Sequence, residues 1–394
     1  MISVAEALAR VLSLAPPPQA EEVPLDQAAG RVLARDVAAR LTQPPFDSAS
    51  MDGYAIRAAD LGRGPLRVVG EAAAGRGWTG TAGAGEAVRI FTGAPVPDGF
   101  DRVVMQEQVS RDGDLITVHD DASQKSNIRP QGIDFAAGHA VTAGTFLTAR
   151  HIGLLAAMNI DRVPVARRPR VAILAGGDEL VPPGTPPGPG QIISSNDLAI
   201  AALVAEAGGL PQRLPIARDT SESLRESLAA AEGSDLIVTI GGASVGDHDL
   251  VAPVAAALGM RQEFYKIRMR PGKPLMAGRL AKAAMIGLPG NPVSAMVCAM
   301  IFMQPLIRAM QGLRRDDEPL RARLATELPP EGDRQHYLRA RLAPGPDLPL
   351  IRPADDQDSS LQSVLAASDA LLIRPAGDPA RKPGEIVEFI PLGR

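Results

Sequence analysis

The sequence predicts a multidomain α/β protein: a helical segment interrupted by an inserted β-rich region, a three-layer α/β domain, and a small C-terminal β domain. Three observations carry this. At 394 residues the chain exceeds what one core usually organises, so two to four domains are expected. From about residue 170, apolar strand-like runs alternate with helical ones, the pattern of a parallel sheet covered by helices on both faces. Before and after that stretch lie regions whose short apolar runs are separated by turn residues, as in small β domains.

Along the chain, Val4, Leu8, Val11 and Leu12 share one helical face, and Pro16, Pro17 and Pro18 stop that helix. Residues 46–138 are rich in Gly and Pro and carry strand-like runs at 66–69, 88–91 and 115–118. Residues 142–157 read as helix again and are expected to pack back beside the N-terminal helix. That makes 46–138 an insertion in a domain formed by 1–45 and 139–168. After the basic junction Arg167-Arg168-Pro169-Arg170, strands at 171–175 and 236–240 alternate with helices at 196–207 and 293–303, giving an α/β domain over 169–316. Runs at 321–324, 337–342, 370–373 and 385–390 place the last domain at 317–394.

Composition narrows the function classes. Hydrophobic residues at 45% and charged residues at 22% fit an ordinary globular chain. Only 3% of residues are aromatic, and 45 acids outnumber 41 Lys and Arg, so neither base-stacking platforms nor a basic footprint for nucleic acid are offered. The single cysteine, Cys298, cannot form an intramolecular disulfide or an all-thiolate metal site, which suits a reducing compartment. The N-terminus reads as an amphipathic helix carrying Glu6 and Arg10 rather than as a signal peptide, and the apolar run 293–303 is too short to span a bilayer. A cytoplasmic protein that engages no membrane is expected. The five histidines, His119, His139, His151, His248 and His336, lack metal-ligand spacing.

The strongest local signal is DLIVTIGGASVGDHD at residues 235–249, a buried strand running into a glycine-rich turn followed by carboxylates. Ligands of parallel sheets bind beyond the C-terminal ends of the strands. There Gly241, Gly242 and Gly246 allow close approach of backbone N–H groups to a phosphate, and Asp247 and Asp249 are candidates to hold a hard cation such as Mg²⁺. An ordinary tight turn with solvated acids is the competing reading. Ala175, Gly176, Gly177, Asp178 and Glu179 follow the preceding strand in the same manner, which would open two glycine-rich acidic loops on one sheet edge. Pro289-Gly290-Asn291-Pro292 introduces a helix with Asn291 as expected N-cap, presenting free N–H groups to an anion unless it serves only as a cap. KIRMRPGKP at 266–274 packs four cations into nine positions, and strand alternation would set Lys266, Arg268 and Arg270 on one face toward oxyanions. The strings at 44–55, 90–95 and 129–134 each read singly as turn chemistry.

Taken in order, the strings PPFDSASMDGYA, IFTGAPVPDGFDRVVMQE, GGDELV, SSND, TIGGASVGDHD, RPGKP and LPGNPVSAMV closely resemble the molybdopterin molybdenumtransferase family, the MoeA-type enzymes related to the E domains of gephyrin and Cnx1. The resemblance covers essentially the whole chain. It implies a molybdopterin-binding α/β domain, a C-terminal β-barrel and an elongated homodimer whose site is shared between subunits. It also implies transfer of molybdate into adenylylated molybdopterin with release of AMP, supported by Mg²⁺, and contact with other proteins of molybdenum cofactor biosynthesis.

Carried over by motif, Asp52, Thr92, Asp134, Glu179, Asp219, Asp247, Lys266, Arg270, Lys273, Arg334 and Ser359 fall at positions that the family uses around its site. Glu179 and Asp247 would handle metal and pyrophosphate, and Lys266, Arg270 and Lys273 anions. Asp52 and Thr92 would belong to the partner-subunit wall. Gly241, Gly242, Ser244, Gly246, Pro289, Gly290, Asn291 and Ser294 complete the implied substrate-binding set, with Arg334 and Ser359. Several positions depart from the pattern. Arg270 stands where many relatives have lysine, Ala175-Gly176 where a hydroxyl residue is common, and Ile133 where glutamate is common. The alternatives are the preceding adenylyltransferase step, which resembles only the middle third of the chain, and a gephyrin-like scaffold, which has no chemical need of these carboxylates.

Overall fold

A computed structural model describes the chain except residues 82, 123–124, 242–249, 314–317 and 394. The sequence candidates Gly242, Ser244, Gly246 and Asp247, with His248 and Asp249, lie outside the described residues. The rest forms two compact units, one of Met1–Glu21 with Ala166–Arg394 and the other of Glu22–Val165.

The first helix, α1 (Val4–Leu12), starts at Ser3, whose Oγ accepts from the Glu6 N–H at 3.1 Å. It buries Val4, Ala7 and Val11 in the core of the first unit. In the second unit a six-stranded sheet is built from β1 (Gly53–Ile56), β2 (Leu66–Ala72), β3 (Glu86–Ile90), β4 (Arg102–Met105), β5 (Val109–Asp112) and β6 (Leu115–Val118), in the order β4-β1-β3-β2-β6-β5. The expected runs at 66–69, 88–91 and 115–118 lie in β2, β3 and β6, with 88–91 ending one residue past its strand. Helix α2 (Ala149–Ala157) begins only at Thr148, where the His151 ring accepts from the Thr148 N–H. It buries Leu155 in a core with Leu147, Met158 and Val163. The two helices therefore contribute to different hydrophobic cores.

In the first unit, β7 (Arg170–Ala175), α3 (Asn196–Glu206), β8 (Leu210–Arg213), α4 (Ser221–Ala230), β9 (Leu236–Ile240), α5 (Val251–Ala257), β10 (Arg261–Lys266), β11 (Met269–Arg270), β12 (Pro274–Leu280) and β13 (Ala283–Leu288) follow one another. The sheet order is β8-β7-β9-β13-β12-β10. Successive side chains of a strand point to opposite faces. Val171 and Ile173 thus join Leu236, Val238 and Ile240 under α3, while Ala172, Leu174 and Ile237 meet Leu224, Leu228 and Val254 of α4 and α5. This is the three-layer arrangement expected. The sheet is mixed rather than all parallel: β12 pairs antiparallel with both β10 and β13. Only Ala281 and Lys282 separate β12 from β13, and so short a connection permits no parallel crossover.

Helix α6 (Pro292–Met310) is 19 residues long, includes a π turn over Ala299–Met303, and outruns the apolar stretch expected from sequence. By length and composition it could cross a membrane. Some 78% of its apolar window is buried inside the protein, as in a core helix. The C-terminal strands β14 (Leu320–Leu324), β15 (Gln335–Ala343), β16 (Leu350–Pro353), β17 (Ala370–Arg374) and β18 (Ile386–Pro391), with helix α7 (Gln362–Ala366) before β17, close a five-stranded barrel. The order β15-β16-β14-β18-β17 returns to β15. Short β11 joins this sheet by pairing parallel with β15. The basic run 266–274 is therefore split between two sheets, because Lys266 ends β10 and Arg270 lies in β11. Its expected alternation along one strand does not occur.

Gly53 shows how tightly the inserted sheet is built: a Cβ added there would stand 2.8 Å from the Val104 carbonyl carbon, with the oxygen closer still. Gly53→Ala is expected to cost about 1–3 kcal/mol through forced separation of β1 and β4. Urea unfolding followed by the fluorescence of Trp78, which packs in the same unit, measures it; an unchanged midpoint would contradict this packing.

Candidate functional site

Strands β7, β9 and β13 run parallel, so Ala175, Ile240 and Leu288 end at one edge of the sheet. From β7 the chain proceeds outward to β8 on one side, whereas β9 lies on the other, so a crevice forms where the order reverses. A cleft of about 820 Å³ opens there. Its floor and walls come from the segments that follow the three strands: Gly176, Gly177 and Glu179; Gly241; and Pro289, Gly290 and Asn291. Asp219, Ser294, Ser195, Asn196 and Ser360 also line it, with an apolar side formed by Leu180, Ile192, Ile193 and Pro274.

Gly241 adopts φ 82°, a backbone conformation that glycine takes up more readily than residues with a Cβ. The residues at the starts of α3 and α6, Asn196 and Pro292, both line the cleft. The positive ends of two helix dipoles therefore bound the same space. Asn291 occupies the N-cap position but makes no side-chain cap; its Nδ2 donates to Ser359 Oγ at 2.9 Å. Asn196 Nδ2 donates to Gly290 O at 2.8 Å. Asp178 and Asp219 face one another, each carboxylate accepting from the other's backbone N–H at 3.4 Å, which sets the Glu179 loop beside Asp219.

Of the residues singled out from sequence, the structure brings Glu179, Asp219, Gly241, Pro289, Gly290, Asn291 and Ser294 to this cleft, with Ser359 bonded to its rim. Lys273 is exposed and immediately precedes Pro274 of the cleft wall. Lys266, whose Nζ lies 5.4 Å from the Tyr265 ring centroid, Arg270 and Arg334 are not among the lining residues. Burial holds the His336 imidazole below its ordinary pKa, opposed by Glu331 and assisted by the charges of Arg270 and Arg334. Sequence reasoning assigned no role to Ser195, Asn196 or Ser360. The signal for the first two was a serine pair before a helical run, and within SSND it is Asp197 that is structural, buried and bonded to Ser194 Oγ and Arg213.

Asp52, Thr92 and Asp134 belong to the second unit. There the three strings that read singly as turns are knitted together. Ser48–Ala49 pairs with Ile128–Arg129, Gly93 N donates to Ala49 O, and Asp47 Oδ1 accepts from the Gln131 N–H at 2.7 Å. Asp52 Oδ1 accepts from both the N–H and the Oγ1 of Thr92 at 2.8 Å. Asp134 is exposed in the loop beyond. The Arg89 guanidinium lies between Tyr54 and Phe91, 5.1 and 4.7 Å from their ring centroids. The Thr92 backbone bond and then its hydroxyl bond hold the Asp52 carboxyl below its ordinary pKa; burial opposes them, and the Arg89 charge adds a lesser lowering.

A three-layer α/β domain with a cleft at the switch point of its sheet, followed in sequence by a closed barrel and preceded by a separate β-rich unit, defines the class: a multidomain α/β protein with its cleft on the central domain. Residues 172–309 match the probable molybdopterin binding domain, residues 2–159 the MoeA N-terminal region (domains I and II), and residues 321–392 the MoeA C-terminal region (domain IV). The chain is 36% identical over 386 residues to the molybdopterin molybdenumtransferase of Nostoc sp., covering 94% of this chain and 88% of that protein. It is 37% identical over 324 residues to that of Haemophilus influenzae, covering 81% and 80%. A structure of a molybdopterin biosynthesis MoeA protein from Pyrococcus horikoshii superposes with a TM-score of 0.84 at 31% identity, over 99% of this chain and 98% of that one. The chain belongs to the molybdopterin molybdenumtransferase (MoeA) family.

Because Asp52 has a folded pKa below its unfolded one, its stabilising contribution is present above the unfolded pKa and is lost as pH falls through the folded value. Thr92→Val removes the hydroxyl donor and keeps the N–H. The Asp52 carboxyl should then titrate at higher pH, still below its ordinary value, as read by carbon-detected NMR; an unmoved titration would show that the hydroxyl bond is absent in solution.

Proposed function

We propose that the chain inserts molybdate into adenylylated molybdopterin and releases AMP, and that the 820 Å³ cleft is where the substrate's phosphates are held. The observation that carries this is the convergence of two helix N-termini, three post-strand loops and two carboxylates on one cleft at the switch point of the sheet. The small residues Gly176, Gly177, Gly241 and Gly290 leave room for a pyrophosphate beside the starts of α3 and α6, while Leu180, Ile192, Ile193 and Pro274 offer apolar surface to a ring system. Lys273 and the neighbouring basic residues Lys266 and Arg270 supply charge for an incoming oxyanion. Molybdate is substrate here and is held ultimately by the pterin's own sulfurs, so the absence of a cysteine cluster is consistent with the chemistry.

Among the described residues no group of three or more His, Cys, Asp or Glu side chains could hold a metal ion. Mg²⁺ does not require one, because it commonly binds through one or two carboxylates together with substrate phosphates. Glu179 and Asp219 fit that mode and would hold it, with Asp247, outside the described residues, as a further candidate. When bound, the ion would neutralise charge on the pyrophosphate. The protein's own groups bind and orient the phosphates: the helix ends face them, and the Asp178–Asp219 pairing fixes the acidic loop. A homodimer in a cytoplasmic setting, with Asp52 and Thr92 on a wall shared between subunits, completes the proposal. The matches over residues 2–159 and 321–392 favour this reading over an adenylyltransferase confined to the central domain.

Purified protein given adenylylated molybdopterin, Mg²⁺ and molybdate should release AMP together with metal-loaded cofactor, whereas formation of the adenylylated intermediate from ATP would point to the earlier step. Glu179→Gln and Asp219→Asn should each slow AMP release by about 10–100-fold, and EDTA should suppress it until Mg²⁺ is restored. Turnover indifferent to both substitutions would remove these carboxylates from the site. Light scattering tests the dimer separately: a monomer at micromolar concentration would refute the shared wall.

A further inference from the structure

Among the described residues, Arg339 and Arg374 are the two largest fully buried side chains, 2% and 1% exposed. A guanidinium withdrawn from water is costly unless its N–H groups find acceptors. Arg374 has the Asp378 carboxylate at 2.5 Å. Arg339 bonds instead to an amide and to backbone: Nε to Gln357 Oε1 at 3.1 Å, and Nη1 to Asp358 O at 2.8 Å and Leu361 O at 3.4 Å. Gln357 closes the ring. Its Oε1 also accepts from the Arg339 N–H at 2.9 Å, and its Nε2 donates to Arg339 O and Ala354 O at 3.0 and 2.9 Å. A barrel strand thus grips the segment 354–361 through one residue: the Arg339 side chain holds Gln357, Asp358 and Leu361, and its carbonyl accepts from the Ala354 N–H at 2.8 Å.

The far side of that segment meets the cleft. Ser359 Oγ accepts from Asn291 Nδ2 at 2.9 Å, and Ser359 O accepts from the Val293 N–H at 3.1 Å. Gln362 Nε2 donates to Ser195 Oγ at 2.8 Å, and Ser360 lines the cleft itself. These contacts fall on the N-termini of α3 and α6, the two helix ends that bound the cleft. We infer that Arg339 is a positioning residue for substrate binding: it fixes the 354–361 segment so that Ser359 and Ser360 close the rim and Asn291 is held in place. The inference rests on the cleft being the phosphate-binding site proposed above. It assigns the barrel a part in binding through a side chain that touches no ligand. Only a planar fork with several donors can reach an amide oxygen and two carbonyls at once, so lysine cannot replace it fully.

The test uses the full-length protein with Arg339→Lys and, separately, Gln357→Leu, which breaks the same ring without removing a buried charge. AMP release with adenylylated molybdopterin should show KM raised by about tenfold with kcat little changed, the signature of lost ground-state binding. Hydrogen exchange should quicken over residues 354–366 and 290–296 while the barrel strands at 320–324 and 386–391 keep their protection. An unchanged KM with faster exchange in the segment would overturn the inference. So would exchange spreading through the barrel in both variants, since Arg339 would then be purely structural. Wild-type protein that turns over no adenylylated molybdopterin would instead sink the functional reading beneath it.

Discussion

The parallel register of β7, β9 and β13 is the constraint on which the cleft depends. It brings the ends of three strands that are far apart in sequence to one edge, with Leu174 beside Thr239 and Thr239 beside Gly287. Backbone hydrogen bonding along these strands is used within the sheet, so the cleft is lined by the residues just past the strand ends. That is where the glycines, Glu179 and the helix N-termini stand. The alternation of side chains then secures the sheet itself: one face packs on α3 and α6, the other on α4 and α5, and the same rule that fills both cores leaves the edge open.

Around this edge, polar residues act mainly by holding one another. Asp178 and Asp219 exchange backbone bonds, Asn196 reaches Gly290, Asn291 reaches Ser359, and Gln362 reaches Ser195. Such a lattice leaves the cleft preorganised, so less ordering remains to be done when a charged ligand arrives. The buried Cys298 sits outside it. Burial raises its thiol pKa, and its contact with Gly272, where any side chain would meet the sulfur, places it in the packing of the basic loop against α6.

The inserted unit follows another plan. Its motif strings contribute few large side chains, and what unites them is backbone pairing among 48–49, 93–94 and 128–129, with Asp47 and Asp52 each capping a neighbouring loop. Gly53 explains part of the MDGYA string directly: it permits the approach of β1 to Val104, and its carbonyl accepts from Arg89 at 3.0 Å. Asp52 is presented from the strand so anchored.

The sequence by itself determined the alternation of strand and helix after residue 170, the glycine-rich acidic loops at 176–179 and 241 onward, and the Pro-Gly-Asn-Pro helix start. These are local, since a strand's apolar run and the turn after it occupy consecutive positions. It also yielded the family, because many short strings in fixed order are specific even where each alone is not. Tertiary structure decided which distant pieces meet. That β12 and β10 turn the sheet antiparallel, that Arg270 leaves the strand of Lys266 to join the barrel, and that Ser359 comes to Asn291 across 68 positions are matters of long-range pairing. Arg339 illustrates the limit most plainly: in sequence it is one more cation in a β run, and only closure of the barrel withdraws it from water and turns its donors onto the cleft's rim. Burial and partnership arise from the packing of separate elements, which no local pattern encodes.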